Sequence, residues 1–208
     1  MADDALIFRE TLGEAPRWGF ELSATQIDGC LQFYKLLVEW NQKLDLTSVT
    51  EPDRLARRHF LESFFAATHV PSGTRKLMDI GSGAGFPGIP TKILRPEIEV
   101  TLVEPRARRA AFLRAVASEL RVPGLGVVGA DLEQILSGGA SLEGVALRGL
   151  RLKPSILRKL WTSVEAGGFL LYLGGQKDSE FFERIAPGER YEMPEQPGRC
   201  VHLVIKSV

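Results

Sequence analysis

Everything that would mark a special environment is scarce in this sequence. Its 208 residues include two cysteines and three histidines, and 26 basic residues balance 26 acidic ones. Cys30 and Cys200 stand far apart with no metal-ligand spacing around either, which argues against a disulfide framework or zinc site and for two reduced core thiols. No apolar run approaches the roughly 20 residues that span a bilayer. The N-terminus carries Asp3, Asp4 and Glu10 where a secretory signal would carry Lys or Arg before an apolar stretch. A cytoplasmic chain with no membrane association is expected. Zero net charge argues against a histone-like nucleic-acid binder, whose affinity rests on broad positive charge, and leaves local basic patches open. His59, His69 and His202 share no motif spacing, and no Ser-His-Asp set, carboxylate dyad or metal cluster is legible, so neither a general base nor a metal is expected.

With 44% hydrophobic and 25% charged residues, the chain has the composition of a compact fold. Ser23 and Gln26 have capping-box spacing, and Ile27, Cys30, Leu31, Tyr34 and Val38 follow at helical intervals, predicting a helix over 23–43. A second helix is expected from Asp53 to Thr68, so residues 1–70 read as a helical extension packed on a core of residues 71–208. In that core, apolar runs at Leu77–Ile80, Val100–Glu104, Leu125–Val128, Gly144–Leu147 and Phe169–Leu173 alternate with helical patterns at about 88–95, 106–121, 131–137 and 154–165. Such alternation predicts an α/β fold, a doubly wound, Rossmann-like, mostly parallel sheet with helices on both faces. After a helix at about 178–186, Glu189–Met193 and Cys200–Lys206 read as a C-terminal antiparallel hairpin.

The most informative segment runs Leu77-Met78-Asp79-Ile80-Gly81-Ser82-Gly83-Ala84-Gly85-Phe86-Pro87-Gly88. A strand ends in a carboxylate, alternate glycines turn the chain, and Pro87 suits the first turn of the next helix. Open α/β sheets bind ligands beyond the C-terminal ends of their strands. Gly83, Gly85 and Gly88 also spell the dinucleotide fingerprint, with Glu104 about 20 residues on, near the distance of a ribose-binding acid. Asp79 separates the two readings. A carboxylate there suits the amino-acid end of S-adenosylmethionine, directly or through water, and would repel a pyrophosphate. Glu104, ending the second strand, is expected to accept from the ribose hydroxyls. Asp131 either accepts from the adenine amino group, with Ala130 and Leu132 as apolar contacts, or caps the next helix; the two roles are compatible.

Several separated segments resemble one family, the bacterial small-subunit ribosomal RNA methyltransferase G. Trp40-Asn41 with Asp45-Leu46-Thr47, Arg58-His59-Phe60-Leu61-Glu62-Ser63, the loop from Asp79 to Pro90, and Arg108-Arg109 with Phe112-Leu113 carry the resemblance. It implies a class I methyltransferase sheet, S-adenosylmethionine as cofactor, and methylation of a guanine N7 in 16S rRNA, with the small ribosomal subunit as partner. Position by position it implies cofactor contacts at Gly81, Phe86, Ala130, Asp131 and Arg148, beside Asp79, Gly83 and Gly85 read from the loop and Glu104 read from the end of the second strand. Arg148 would contact the cofactor or an incoming guanine. Three features depart from the family: Leu147-Arg148-Gly149 replaces Ser-Arg-Ala, Leu173-Gly174-Gly175 replaces Leu-Lys-Gly, and the terminal hairpin is short.

Guanine N7 carries an unprotonated lone pair, so this transfer needs alignment rather than a base. Candidate RNA contacts are Arg54, Arg57, Arg58 and the adjacent His59; Arg106, Arg108, Arg109 and Arg114; and Arg148, Arg151, Lys153, Arg158 and Lys159. Such clusters hold phosphates without reading bases. Phe86 is a candidate stacking partner for a flipped guanine, or packs beneath the loop. A monomer is expected.

Overall fold

A computed structural model describes residues 2–150, 152–183 and 187–207. Two helices open it, α1 (Ala2–Leu12) and α2 (Ala24–Leu44), separated by a 3-10 turn at Ala15–Trp18. The capping box at α2 forms as the sequence predicts: the Ser23 hydroxyl accepts from the Gln26 N–H, and the Gln26 side chain accepts from the Ser23 N–H. The buried stripe is rotated from the predicted one. Cys30, Phe33, Tyr34 and Leu37 are buried, whereas Ile27, Leu31 and Val38 lie at its margin. The rotation follows from aromatic packing, because Phe8 of α1 stacks on Tyr34 at 4.3 Å and meets Phe60 edge-on at 4.8 Å.

The expected second helix is three pieces: α3 (Pro52–Leu55), a π-helical turn (Ala56–Leu61) and α4 (Glu62–Thr68). In the π turn the Glu62 N–H donates to the Arg57 carbonyl, five residues back. Two carbonyls of this turn are met by side chains: the Ser63 hydroxyl donates to the His59 carbonyl at 2.5 Å, and the Arg148 guanidinium donates to the Arg58 carbonyl.

The strands are β1 (Lys76–Ile80), β2 (Glu99–Val103), β3 (Leu125–Val128), β4 (Leu142–Arg148), β5 (Val164–Gly175), β6 (Glu189–Glu192) and β7 (Arg199–Ile205). They form one seven-stranded sheet in the order β3-β2-β1-β4-β5-β7-β6, with β1 to β5 parallel and β7 antiparallel to both neighbours. The helices α5 (Gly88–Leu94), α6 (Ala107–Leu120), α7 (Leu132–Ser137), α8 (Pro154–Ser163) and α9 (Gln176–Glu183) complete the crossovers; the predicted end of the last helix, 184–186, lies outside the described residues. β5 begins earlier than predicted, because Val164 pairs with Leu142 across a register irregularity before Phe169 pairs with Gly144. Two apolar layers sandwich the sheet. Phe33, Phe60, Phe86 and Phe112 fill the face under the N-terminal helices, and Leu132, Leu136, Leu157, Leu160 and Tyr172 fill the other.

Candidate functional site

The loop after β1 is bent by glycine. Gly81, Gly83 and Gly85 have φ of 71°, 56° and 93°, a region that L side chains enter only with strain. The Gly81 and Ser82 N–H groups both donate to the Val103 carbonyl, at 2.9 and 3.1 Å, tying the loop to the end of β2. Gly88 is required for close approach: a Cβ there would collide with Leu102 and come within 2.7 Å of the Asp79 carboxylate. Pro87, joined to Phe86 by a cis peptide, sits at the N-cap of α5 rather than inside its first turn.

Asp79 is fully buried, and its Oδ2 accepts from the Gly88 N–H at 3.0 Å. Its Oδ1 has no hydrogen-bond partner among the described residues. Burial pushes the carboxyl up to about 7, with the Gly88 N–H, the nearby Ser82 hydroxyl, which donates to the Asp79 carbonyl at 2.9 Å, and Arg148 acting in the opposite direction. An orphaned buried carboxylate oxygen beneath a glycine loop is the feature that a cationic amino group would satisfy.

Glu104 lies just beyond β2 and is 4% exposed. One of its oxygens accepts from the Gly83 N–H at 3.0 Å and the other from the Arg106 N–H at 2.9 Å. The carboxylate therefore pins the glycine loop, a task that the sequence did not announce, and each oxygen keeps a second lone pair for a hydroxyl donor. The Glu104 N–H donates to the Val128 carbonyl at 3.1 Å, which brings the end of β3, and so Ala130 and Asp131, alongside. Asp131 is the N-cap of α7 in a full capping box with Gln134, at 2.8 and 2.9 Å. Its side chain is exposed, so the cap leaves it open to solvent.

A cleft of about 410 Å³ opens over this loop; its lining includes Gly81, Gly83, Phe86, Arg58, His59, Arg109 and Arg148, together with Thr47 and Arg199. Segments distant in sequence meet here. Asn41 holds Thr47 through two hydrogen bonds of 2.8 and 3.0 Å, and the Thr47 hydroxyl shares a 2.7 Å hydrogen bond with His59 Nε2. His59 stacks on Phe86 at 4.8 Å, and Phe33 and Phe60 close around the same ring. Phe86 is 5% exposed, so it packs beneath the loop and offers little face to a flipped base. Burial, and then Arg148, Arg58 and Arg199, push the His59 imidazole down to about 2, so it is neutral.

The sequence did not single out Glu62 or Arg199, which organise the cleft's far wall. Glu62 is fully buried and bridges Arg58 at 3.2 Å, Arg148 at 3.1 Å and Arg199 at 3.1 and 2.6 Å, accepting from its Nε and Nη2. The available signal was its place four residues after Arg58, one helical turn away. Arg57 turns instead to Glu14, at 2.7 and 2.9 Å, and to Asp53 at 3.1 Å, so two carboxylates already meet its charge. Arg109 reaches over the loop and donates to the Asp45 carbonyl at 3.4 Å, while Arg108, Arg158, Lys159 and Lys153 are exposed on their helices and caps. Arg151 lies outside the described residues. The absent lysine has a steric correlate, because a Cβ at Gly174 would overlap the Tyr172 phenol. Among the described residues no group of three His, Cys, Asp or Glu is placed to hold a metal, and no helix is long and apolar enough to cross a membrane.

Residues 26–186 match the family model for rRNA small subunit methyltransferase G. The chain is 37% identical to the ribosomal RNA small subunit methyltransferase G of Desulfitobacterium hafniense, over 83% of this chain and 73% of that one. It is 30% identical to the protein of the same name from Streptococcus thermophilus, over 91% and 86%. The precorrin-6Y C5,15-methyltransferase of Geobacter metallireducens shares the fold, with a TM-score of 0.56 at 15% identity, covering 70% of this chain and 87% of that one. The dinucleotide alternative raised by Gly83, Gly85 and Gly88 thus gives way to S-adenosylmethionine. A glycine loop clamped between two buried carboxylates, on a sheet whose last strand runs antiparallel, is here the work of a chain that belongs to the rRNA small subunit methyltransferase G family.

Proposed function

We propose that this protein transfers the methyl group of S-adenosylmethionine to N7 of a guanine in 16S rRNA, acting in the cytoplasm as a monomer on the small ribosomal subunit. The observation that carries the reading is the cleft between the loop at Gly81–Gly85 and the arginine wall, lined by the segments around Thr47 and His59. S-adenosylmethionine supplies an electrophilic methyl group when bound. Asp79 Oδ1 and the loop backbone suit its amino-acid end, Glu104 its ribose, and Ala130 and Asp131 its adenine. Phe86 supports the loop from below and fixes His59.

Attack by a neutral nitrogen lone pair requires no proton removal, and the neutral His59, hydrogen-bonded to Thr47, serves as a wall of the cleft. The chain's own contribution is orientation, an effect that supplies on the order of 7–11 kcal/mol in well-aligned reactions. Arg58, Arg109 and Arg148 at the cleft, with Arg108 beside it, provide the positive charge that draws the RNA backbone; Arg57, committed to Glu14 and Asp53, contributes less. The test incubates the purified protein with tritiated S-adenosylmethionine and small subunits lacking the modification. Label in a guanine of 16S rRNA is expected. Measurable cofactor binding without any such label would sink the reading.

A further inference from the structure

The wall of the cleft opposite the glycine loop has a charge arithmetic of its own. Glu62, 0% exposed, is the carboxylate to which Arg58, Arg148 and Arg199 all pair, so one negative charge organises three positive ones. The three come from separate elements. Arg58 stands on the π turn, Arg148 ends β4, and Arg199 begins β7, where it pairs in register with Gly175 at the end of β5. All three line the cleft, with side chains 41%, 12% and 16% exposed. Guanidinium groups held near one another repel. Their convergence rests on the buried carboxylate and on the Arg58 carbonyl, which accepts from Arg148. Next to them His59 is held neutral, first by its burial and then by Arg148, Arg58 and Arg199.

The groups suited to the cofactor sit at the ends of β1, β2 and β3, at the loop, Glu104 and Asp131, whereas Arg199 opens β7, three strands away from β1; Arg148 ends the central strand β4, next to β1, and stands at the border between the loop and the wall. We infer that Glu62 is a positioning residue that presents Arg58, Arg148 and Arg199 as one receptor for a phosphodiester of the substrate strand, beside the nucleotide to be methylated. Three convergent guanidiniums offer charge-assisted donors in the fork geometry that phosphate oxygens accept. This inference deepens the RNA reading above, and its test separates the two.

The experiment measures the binding of a fluorescent single-stranded fragment of 16S rRNA across a salt series for wild type, R199Q, E62Q and the double variant. Calorimetry with S-adenosylhomocysteine and thermal melts run beside it. R199Q is expected to weaken RNA binding about ten-fold at 0.1 M salt and to lower the log–log salt slope by about 0.7, the share of one single-strand phosphate contact. Its affinity for S-adenosylhomocysteine should stay within about two-fold. E62Q should weaken RNA binding at least as much as R199Q, because Glu62 holds all three arginines, and the double variant should be no weaker than E62Q alone. E62D, which keeps the charge, should recover part of the loss. If E62Q does not fold, E62D carries the test beside R199Q: a shortened carboxylate that leaves RNA binding unchanged would overturn the inference. Loss of S-adenosylhomocysteine affinity in R199Q would assign the wall to the cofactor carboxylate and overturn the inference, as would unchanged RNA binding or additive losses. RNA binding that behaves as described, in a wild type that leaves 16S rRNA unlabelled, would refute the methylation reading and leave the receptor standing.

Discussion

Removing the charge of Asp79 should make the empty protein more stable and a poorer binder. Burial raises this carboxyl from an ordinary value of 3.8 to about 7, roughly 3 units, which at 1.36 kcal/mol per unit is about 4 kcal/mol against the ionised form. For a folded-state value raised above the unfolded one, the stability contribution is fully present below about 3.8 and is lost as pH rises through about 7. At pH 8 the wild type therefore carries the whole cost. Asp79→Asn removes it, keeps an acceptor for the Gly88 N–H, and buries an amide donor whose lack of a partner costs about 1–3 kcal/mol. The net gain is about 1–3 kcal/mol, or roughly 2–12 °C in Tm for a chain of this size. The assay is a pair of melting curves, at pH 5 and pH 8, with and without S-adenosylhomocysteine. The variant's advantage should be largest at pH 8 without ligand and shrink at pH 5, and the ligand should stabilise wild type far more than the variant. In wild type, ligand affinity should rise with pH up to about 7, where Asp79 ionises to meet the ligand's ammonium, and this rise should vanish in the variant. A variant that melts at or below wild type at pH 8, or that binds equally well, would refute the reasoning.

Glu104→Ala removes the acceptor for two backbone N–H groups as well as the ribose partner, so S-adenosylhomocysteine affinity should fall by at least ten-fold by calorimetry while the protein remains folded. Gly85→Ala places a methyl group against Ile89 at a φ of 93°, and a loss of about 1–3 kcal/mol is expected in denaturant melts. His59, pushed down to about 2, should show no imidazole titration by NMR between pH 5 and 8. Cys30, fully buried and with its thiol pushed well up, should resist alkylation at pH 8 until the protein is unfolded.

What the sequence made legible was local chemistry. The capping box at Ser23 and the N-cap at Asp131 depend on residues close in the chain, and the glycine loop depends on backbone angles that only its own residues supply. The alternation of apolar runs gave strands within a few residues of their places, because parallel strands buried on both faces leave little choice of residue. What stayed hidden was long-range. Nothing near Arg199 says that it reaches Glu62 through 137 positions of chain, and nothing near Glu104 says that it pins Gly83. The π turn was illegible because one contact on it, from Arg148 at the end of β4 to the Arg58 carbonyl, comes from far along the chain. Phe33 and Leu37 displaced Leu31 and Val38 from the buried stripe for a similar reason, since α1 and Phe60 decide where the aromatic layer falls.

The place of β7 in the sheet has a consequence for how the protein can fail. β6 is joined to the sheet through β7, which is itself inserted against β5. Proteolytic nicking just ahead of Arg199 would thus detach a pair of strands at once and bare the apolar rim of β5, from Phe169 to Leu173. Such an unprotected border invites pairing with other copies, so clipped molecules should precipitate instead of staying in solution.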